Sequence, residues 1–378
     1  MLQETLKAKL IHTDDRREME RIGEEIMNAM PSRYDARTMG LMKAAVAKSM
    51  PDLLGDEADR YLKRTVYGYW VYGVTTKEWF YYGFENKTDE EKCEYIGFMD
   101  RFSYLRHLNN LELGQKVLDD KYTAYQLMKR FYKREIIRIA DEKDYEIFAD
   151  FVSRHSVFVK KPLNANIGIG IRKITVRPDT DLKALFEELL KEGQLHAKSQ
   201  PWGNSSDIIL EELIRQDEHL AQLHAESVNV VRVNTFRACG KTLCWYPWLK
   251  ISQGGKFLTS ASEGSMGCSV HSETGVVRGP GVTEFGALYH VHPDTGIRLE
   301  GFQIPRWDEC RRLAEEVSDL FPDIRFIGWD FALTPDGWCV VEGNSKAEFV
   351  EQLTEGRGTK RELEGTIGWK PDREFWWQ

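Results

Sequence analysis

Apolar and polar residues alternate along this chain in two ways. Through about residue 60, charged and apolar residues recur at helical spacing, broken near Pro31 and Pro51, and this predicts helices. Residues 61–84, YLKRTVYGYWVYGVTTKEWFYYGF, are crowded with aromatic rings. Such density fits core packed between helices, or a surface for sugar stacking or a partner; we expect it to shape the acceptor side of a site. Residues 86–118 read as helix again, and DDKYTAYQLMKRF from Asp119 opens a further helix with acidic residues suited to its N-terminus.

From residue 156 the period shortens. SVFVKKPLNANIGIGIRKITV (156–176) reads strand, loop, strand, with Lys160 and Lys161 on opposite faces. Gly168 and Gly170 let backbone N–H groups approach an anion, and a lysine before such a loop supplies a point charge for phosphate; an ordinary hairpin is the plainer reading. Residues 181–192 form an amphipathic helix. DIILEELIRQDE (207–218) is a buried-strand run ending in an acidic segment with free backbone groups. SVNVVRVNTF (227–236) is a strand with Asn229 and Arg232 among valines, and a buried arginine needs an anionic partner. CWYPWLKIS (244–252) carries Lys250 on another strand, and SEGSMG (262–267) is a small-residue loop suited to close approach by phosphate or substrate. Ser227, Asn229, Ser262 and Ser265 are the substrate-side candidates.

An amphipathic helix over 307–320 then delivers the chain to FIGWDFALTPDGWCVVEGNSKAEF (326–349). Thr334-Pro335-Asp336-Gly337 is a turn between two apolar strands. A type I turn with a glycine bulge would pair Thr334 with Trp338 and set Asp330 opposite Glu342, with Asn344 on the same face. Facing carboxylates repel, and a divalent cation bridging them would relieve that. Their oxygens suit Mg²⁺. The plain alternative is a solvated hairpin with charges at its rim.

Composition narrows the classes. The 378 residues are long enough for two or three domains, and 42% hydrophobic against 30% charged content fits a sizeable core. A net charge of −8 argues against a generic nucleic-acid binder but leaves room for local basic clusters. The six cysteines are scattered without CxxC spacing, which fits thiols in a reducing compartment. His290 and His292 in YHVH read as structural or solvated. The charged N-terminus is not a signal peptide, and no apolar run is long enough to span a membrane. A cytoplasmic protein is expected.

Taken in order, SVNVVRVNTF, the HPDTG…GFQIPRW segment and IGWDFALTPDGWCVVEGN resemble the ATP-grasp superfamily, and more narrowly its sugar-transfer-associated family, over about residues 115–355. The resemblance implies an α+β ATP-grasp fold, two α+β subdomains gripping ATP, preceded by a helical, aromatic-rich domain. The expected division is 1–115, 116–220 with nucleotide lid and hinge, and 221–378 with the metal-binding hairpin. It implies Asp330, Glu342 and Asn344 as Mg²⁺ ligands, and Lys161 with Gly168 and Gly170 as the phosphate flap. Lys121 would flank the nucleotide. Glu211, Glu212 and Ile214 would read adenine, Glu218 the ribose, and Arg232 and Lys250 would face the transferred phosphoryl group. The flap is sparser in glycine than in many grasp enzymes.

The leading expectation is an ATP- and Mg²⁺-dependent carboxylate–amine ligase acting through an acylphosphate, on small-molecule or sugar-linked carboxylate and amine substrates, in polysaccharide or other sugar-containing product biosynthesis. A kinase acting on a hydroxyl in the same cleft, and a non-catalytic nucleotide- or glycan-binding protein, are the alternatives.

Overall fold

Residues 4–164, 168–199, 205–238, 240–259, 264–284 and 286–372 are described by a computed structural model of the chain. Two compact units divide it. One takes the chain up to His107 and resumes at Glu348; the other runs from Leu108 to Ala347, save a short excursion around Gly286.

The first unit is helical. Tyr61, Tyr67, Trp70, Tyr72, Trp79, Tyr82 and Phe84 are all buried in its core, against Met19, Ile22 and Ile26 of the helix Arg16–Ala29. The aromatic density therefore belongs to packing, and the stacking-surface reading is corrected: these rings are turned inward. Their polar ends are satisfied there, as buried Trp and Tyr require. Trp70 Nε1 donates to Tyr34 Oη at 2.8 Å and Trp79 Nε1 to Glu85 Oε1 at 3.0 Å. Thr75 and Thr88 each open a helix with a reciprocal capping box. The end of the chain packs into this unit, whereas the sequence pattern had grouped it with residues 221–347. Buried Gln352 accepts from Ile96 N–H at 2.8 Å and donates back to Ile96 O at 3.1 Å, and buried Lys360 pairs with buried Asp100.

The second unit carries two antiparallel sheets. In chain order the strands are β1 (Ile136–Ile139), β2 (Val157–Pro162), β3 (Arg172–Thr175), β4 (Ile208–Glu212), β5 (Val230–Ala238), β6 (Lys241–Ile251), β7 (Met266–Ser269), β8 (Gly281–Thr283), β9 (Leu288–Tyr289), β10 (Phe326–Thr334) and β11 (Gly337–Asn344). The smaller sheet has the order β1-β4-β2-β3 and the larger β11-β10-β5-β6-β7-β8-β9. The helices Tyr145–Arg154 and Leu182–Ser199 bury Phe148, Phe151, Phe186 and Leu189 with Phe158, Ile208 and Leu210 of the smaller sheet.

On the larger sheet the helix Trp307–Asp319 presents Cys310, Leu313, Ala314 and Val317 to the core, the spacing of one helical face. Each fully buried aliphatic side chain there contributes roughly 1.5–3 kcal/mol. Trp329 on β10 donates from Nε1 to Ser318 Oγ of that helix at 2.8 Å and to Thr235 Oγ1 at 3.1 Å. Because strand residues alternate in direction, Trp329 on the helix side leaves its neighbour Asp330 on the other face. Gly343 is required beside it: a Cβ there would stand 2.5 Å from the Trp329 ring.

The turn after β2 ends on Gly170 at φ +75°, where a Cβ would also meet Pro162 Cγ at 2.8 Å. Gly170→Ala is expected to cost roughly 1–2 kcal/mol from the left-handed backbone alone. Urea denaturation would check it, and an unchanged midpoint would contradict the turn geometry.

Candidate functional site

The hairpin β10–β11 pairs Asp330 with Glu342 and Gly328 with Asn344. The pairing is as expected, but the route differs. Thr334 pairs with Gly337, not Trp338, so the turn is tight and carries no bulge. The extra residue enters further along, between the pairs Phe331–Val340 and Asp330–Glu342, and is Val341. Arg134 accounts for it: its guanidinium donates to Val340 O at 2.6 Å and to Val341 O at 3.3 Å, capping carbonyls the bulge removes from the ladder.

Register also supplies Asp330 with partners. β10 lies against β5 so that Asp330 faces Arg232 directly. Arg232 donates from Nε to Oδ1 at 2.7 Å and from Nη2 to Oδ2 at 3.0 Å, and Lys250 Nζ reaches Oδ2 at 2.8 Å. The idea that a metal rather than nearby cations offsets the charge of Asp330 is corrected: two cations hold it. Burial would raise the Asp330 pKa, but Arg232 and Lys250 more than offset that and hold its carboxyl well below the usual range. Burial lowers the Lys250 pKa, with Arg232 adding to the effect and Asp330 opposing it.

Glu342 differs. Among the described residues its carboxylate takes only a long 3.5 Å contact from Asn344 Nδ2, which also donates to Gly328 O at 3.2 Å. Asn344 thus keeps its Oδ1 for another partner. A carboxylate offers about four lone-pair directions. Asp330 uses three on its cations, while Glu342 has most of its own in hand. An all-oxygen donor set of this kind fits Mg²⁺, with most of the uncommitted donor capacity on Glu342 and Asn344 and one direction left on Asp330.

The smaller sheet carries the other charges. Lys161 Nζ is 3.0 Å from Glu211 Oε2, which also takes Arg134 Nη2 at 3.0 Å. Burial would raise the Glu211 pKa, but Lys161 and then Arg134 outweigh it and lower it. Glu211 is therefore a buried anchor for two cations. Lys160 points to the opposite face, with Glu192 at 2.7 Å and Gly170 O at 3.2 Å. Lys121, the first residue of the helix Lys121–Tyr132, donates to Leu163 O at 3.3 Å. Burial lowers its pKa, Glu342 pulls it up and Lys161 down, so its charge senses both sheets. Lys121, Arg134, Lys161, Arg232 and Lys250 thus stand with three carboxylates, Glu211, Asp330 and Glu342, a local excess of positive charge suited to an anionic ligand.

The remaining candidates divide. Glu212 Oε2 accepts from Glu135 N–H at 3.0 Å, Ile214 lies half-buried in the irregular segment after β4, and Glu218 is exposed at the start of a short helix. Ser227 and the Asn229 donor are engaged locally. Ser227 Oγ contacts His224 Nδ1 at 2.9 Å and Thr259 Oγ1 at 3.1 Å, and Asn229 Nδ2 donates to Gln216 Oε1 and to the carbonyls of Leu220 and His224. These contacts tie a loop together, while Asn229 Oδ1 is buried with no partner among the described residues. Ser265 Oγ is buried with no partner among the described residues. Ser262 lies outside the described residues. Gly168 and Gly170 both take positive φ.

Arg134 escaped the sequence reading. Its one signal was indirect, because buried Glu211 in the apolar run IILEE demands a cation from somewhere.

The family model for sugar-transfer associated ATP-grasp proteins matches residues 100–367. No curated protein matches the sequence. Among solved structures the chain is similar to the ATP-grasp ligase PsnB complexed with a minimal precursor, at 13% identity over 70% of this chain and 59% of that one, TM-score 0.36. It is similar to D-alanyl-alanine synthetase A of Vibrio cholerae at 12% identity over 67% and 61%, TM-score 0.38. It is also similar to the biotin carboxylase domain of the Hydrogenobacter thermophilus 2-oxoglutarate carboxylase, in complex with MgADP, ADP and bicarbonate, at 12% identity over 73% and 53%, TM-score 0.45. The chain spans less than two thirds of the length of each of these structures. No helix among the described residues is long and apolar enough to cross a membrane.

Proposed function

Since this chain belongs to the sugar-transfer associated ATP-grasp family, we propose that it is an ATP- and Mg²⁺-dependent carboxylate–amine ligase that forms ADP. The observation that carries the reading is the β10–β11 register: Glu342 and Asn344, oxygen donors with capacity in hand, stand beside an Asp330 already gripped by Arg232 and Lys250. Bound Mg²⁺ would supply charge neutralisation at the phosphates. Arg232 and Lys250 orient Asp330 and offer fixed positive charge to the transferred phosphoryl group. In a water-poor site such charge acts strongly. Lys161 and Lys121 extend the positive surface toward the flap. A substrate carboxylate would attack the γ-phosphate, and an amine would then capture the acylphosphate, with phosphate leaving. The family description favours a sugar-containing or polysaccharide product.

ADP release measured across a panel of acids and amines tests the reading. Release that requires both an acid and an amine is expected. Release with a hydroxyl acceptor alone would make the protein a kinase, and none with any acceptor would leave binding only.

Lys161→Ala is expected to weaken ATP binding on the order of tenfold, the lower range for losing a hydrogen bond to a charged group. Glu211 keeps Arg134, so the fold should persist. Calorimetry against ATP checks it, and wild-type affinity would return Lys161 to a purely structural pairing with Glu211.

A further inference from the structure

Away from the hairpin, three side chains of metal-ligating type converge in the helical unit. Asp89 and Cys93 are the first and last residues of the helix Asp89–Cys93, four apart and so on one face. His12, in the segment before the helix Arg16–Ala29, reaches both: its Nδ1 is 2.8 Å from Asp89 Oδ1 and 3.5 Å from Cys93 Sγ. One ligand atom from each of the three lies within 4.8 Å of the others. We propose that His12, Asp89 and Cys93 form a binding site for a divalent transition cation, zinc above all, that ties the N-terminal segment to this helix.

Both contacts fall on the same ring nitrogen. A thiol–imidazole–carboxylate relay needs them on opposite nitrogens, one to take the proton and one to be oriented. Convergence on a single nitrogen is the arrangement a shared cation requires. The distances agree. With Zn–N near 2.0–2.1 Å and Zn–S near 2.3 Å in a tetrahedron, the nitrogen and sulfur stand roughly 3.5 Å apart, the separation seen between His12 and Cys93. A carboxylate oxygen would stand roughly 3.3 Å from the nitrogen on the same basis, so Asp89 has to open by about half an ångström.

The surroundings hold the ligands in place. Tyr72 donates from its hydroxyl to Asp89 Oδ1 at 2.5 Å, and its ring meets the His12 ring edge-on at 5.4 Å. Such outer partners fix the geometry of a ligating group. Lys92 lies 3.7 Å from Asp14 Oδ1, which also accepts the Asp89 N–H at 2.5 Å. His12 is 44% exposed at its side chain, so a cation can enter from solvent and a water can fill the fourth position. A sulfur, nitrogen and oxygen set selects zinc over magnesium, which separates this site from the all-oxygen hairpin. On binding, the Cys93 thiol loses its proton to solvent and the thiolate takes the metal.

The test uses the full chain, stripped with a chelator and titrated with Co²⁺ in excess Mg²⁺. The expected result is one Co²⁺ per chain with a near-ultraviolet thiolate-to-cobalt band that Zn²⁺ abolishes. Cys93→Ser should remove the band, and His12→Ala should weaken Co²⁺ binding at least about tenfold, the smallest loss that even outer-shell changes cause. His12 is a surface residue, so its variant should fold, and circular dichroism checks this. Absence of the thiolate band in the wild type, or unchanged Co²⁺ affinity in both variants, would overturn the site.

Discussion

Glu342→Gln is expected to lower ADP-forming turnover by about a hundredfold or more, which is roughly 2.7 kcal/mol of transition-state stabilisation. Stability should change by no more than about 0.5 kcal/mol. The protein asks little of this carboxylate. Among the described residues Glu342 has only the 3.5 Å contact from Asn344, and glutamine keeps its shape. The neighbouring Asp330 is neutralised by Arg232 and Lys250, so no strong repulsion is relieved by the change. What glutamine removes is a charged oxygen donor for Mg²⁺. Steady-state ADP release and thermal melting without metal read the two effects separately. A variant that melts early yet turns over normally would make Glu342 a structural residue.

Asp330→Asn should behave in the opposite way. It leaves Arg232 and Lys250 in a buried site without their anion, and breaking such a pair costs about 3–5 kcal/mol. Acid dependence distinguishes this from a simple packing defect. The folded-state pKa of Asp330 lies below its unfolded value. Its contribution is therefore fully present above the unfolded value of about 3.9 and is lost as pH falls through the folded one. The stability gap between wild type and Asp330→Asn should be constant near neutral pH and should shrink below about pH 4. Urea denaturation at several pH values measures this. A gap that stayed constant into strong acid would show that the ion pair is not its source.

These two variants also mark what the sequence could and could not carry. Asp330 and Glu342 are twelve positions apart across a Pro-Asp turn, so the hairpin itself was legible locally, but their pairing depends on an extra residue in β11. The position of the bulge was not local. Gly337 suggested a bulge at the turn, yet the extra residue is Val341, because Arg134 from another part of the chain takes the carbonyls there. The Arg232–Asp330 pair joins residues 98 apart. Arg232 among valines signalled only that some anion was needed, and the register of β5 on β10 decides which. Strands and the helix 307–319 were legible from period alone. The return of the C-terminal segment to the helical unit was not, since it hangs on contacts such as Gln352 with Ile96, 256 residues apart. The ties that Ser227 and Asn229 make within their own loop were hidden for a similar reason. Polar residues that tie a loop and polar residues that bind a ligand have the same appearance in a strand pattern.

On the proposed function, the Asp330–Glu342–Asn344 edge of the hairpin holds the metal that accompanies ATP. Calorimetric titration of ATP, with and without Mg²⁺, into the wild type and Glu342→Gln tests it most directly. Mg²⁺ should tighten ATP binding to the wild type by at least about tenfold, or roughly 1.4 kcal/mol, and this gain should largely disappear in Glu342→Gln while metal-free ATP binding is retained. An equal Mg²⁺-dependent gain in both proteins would contradict it.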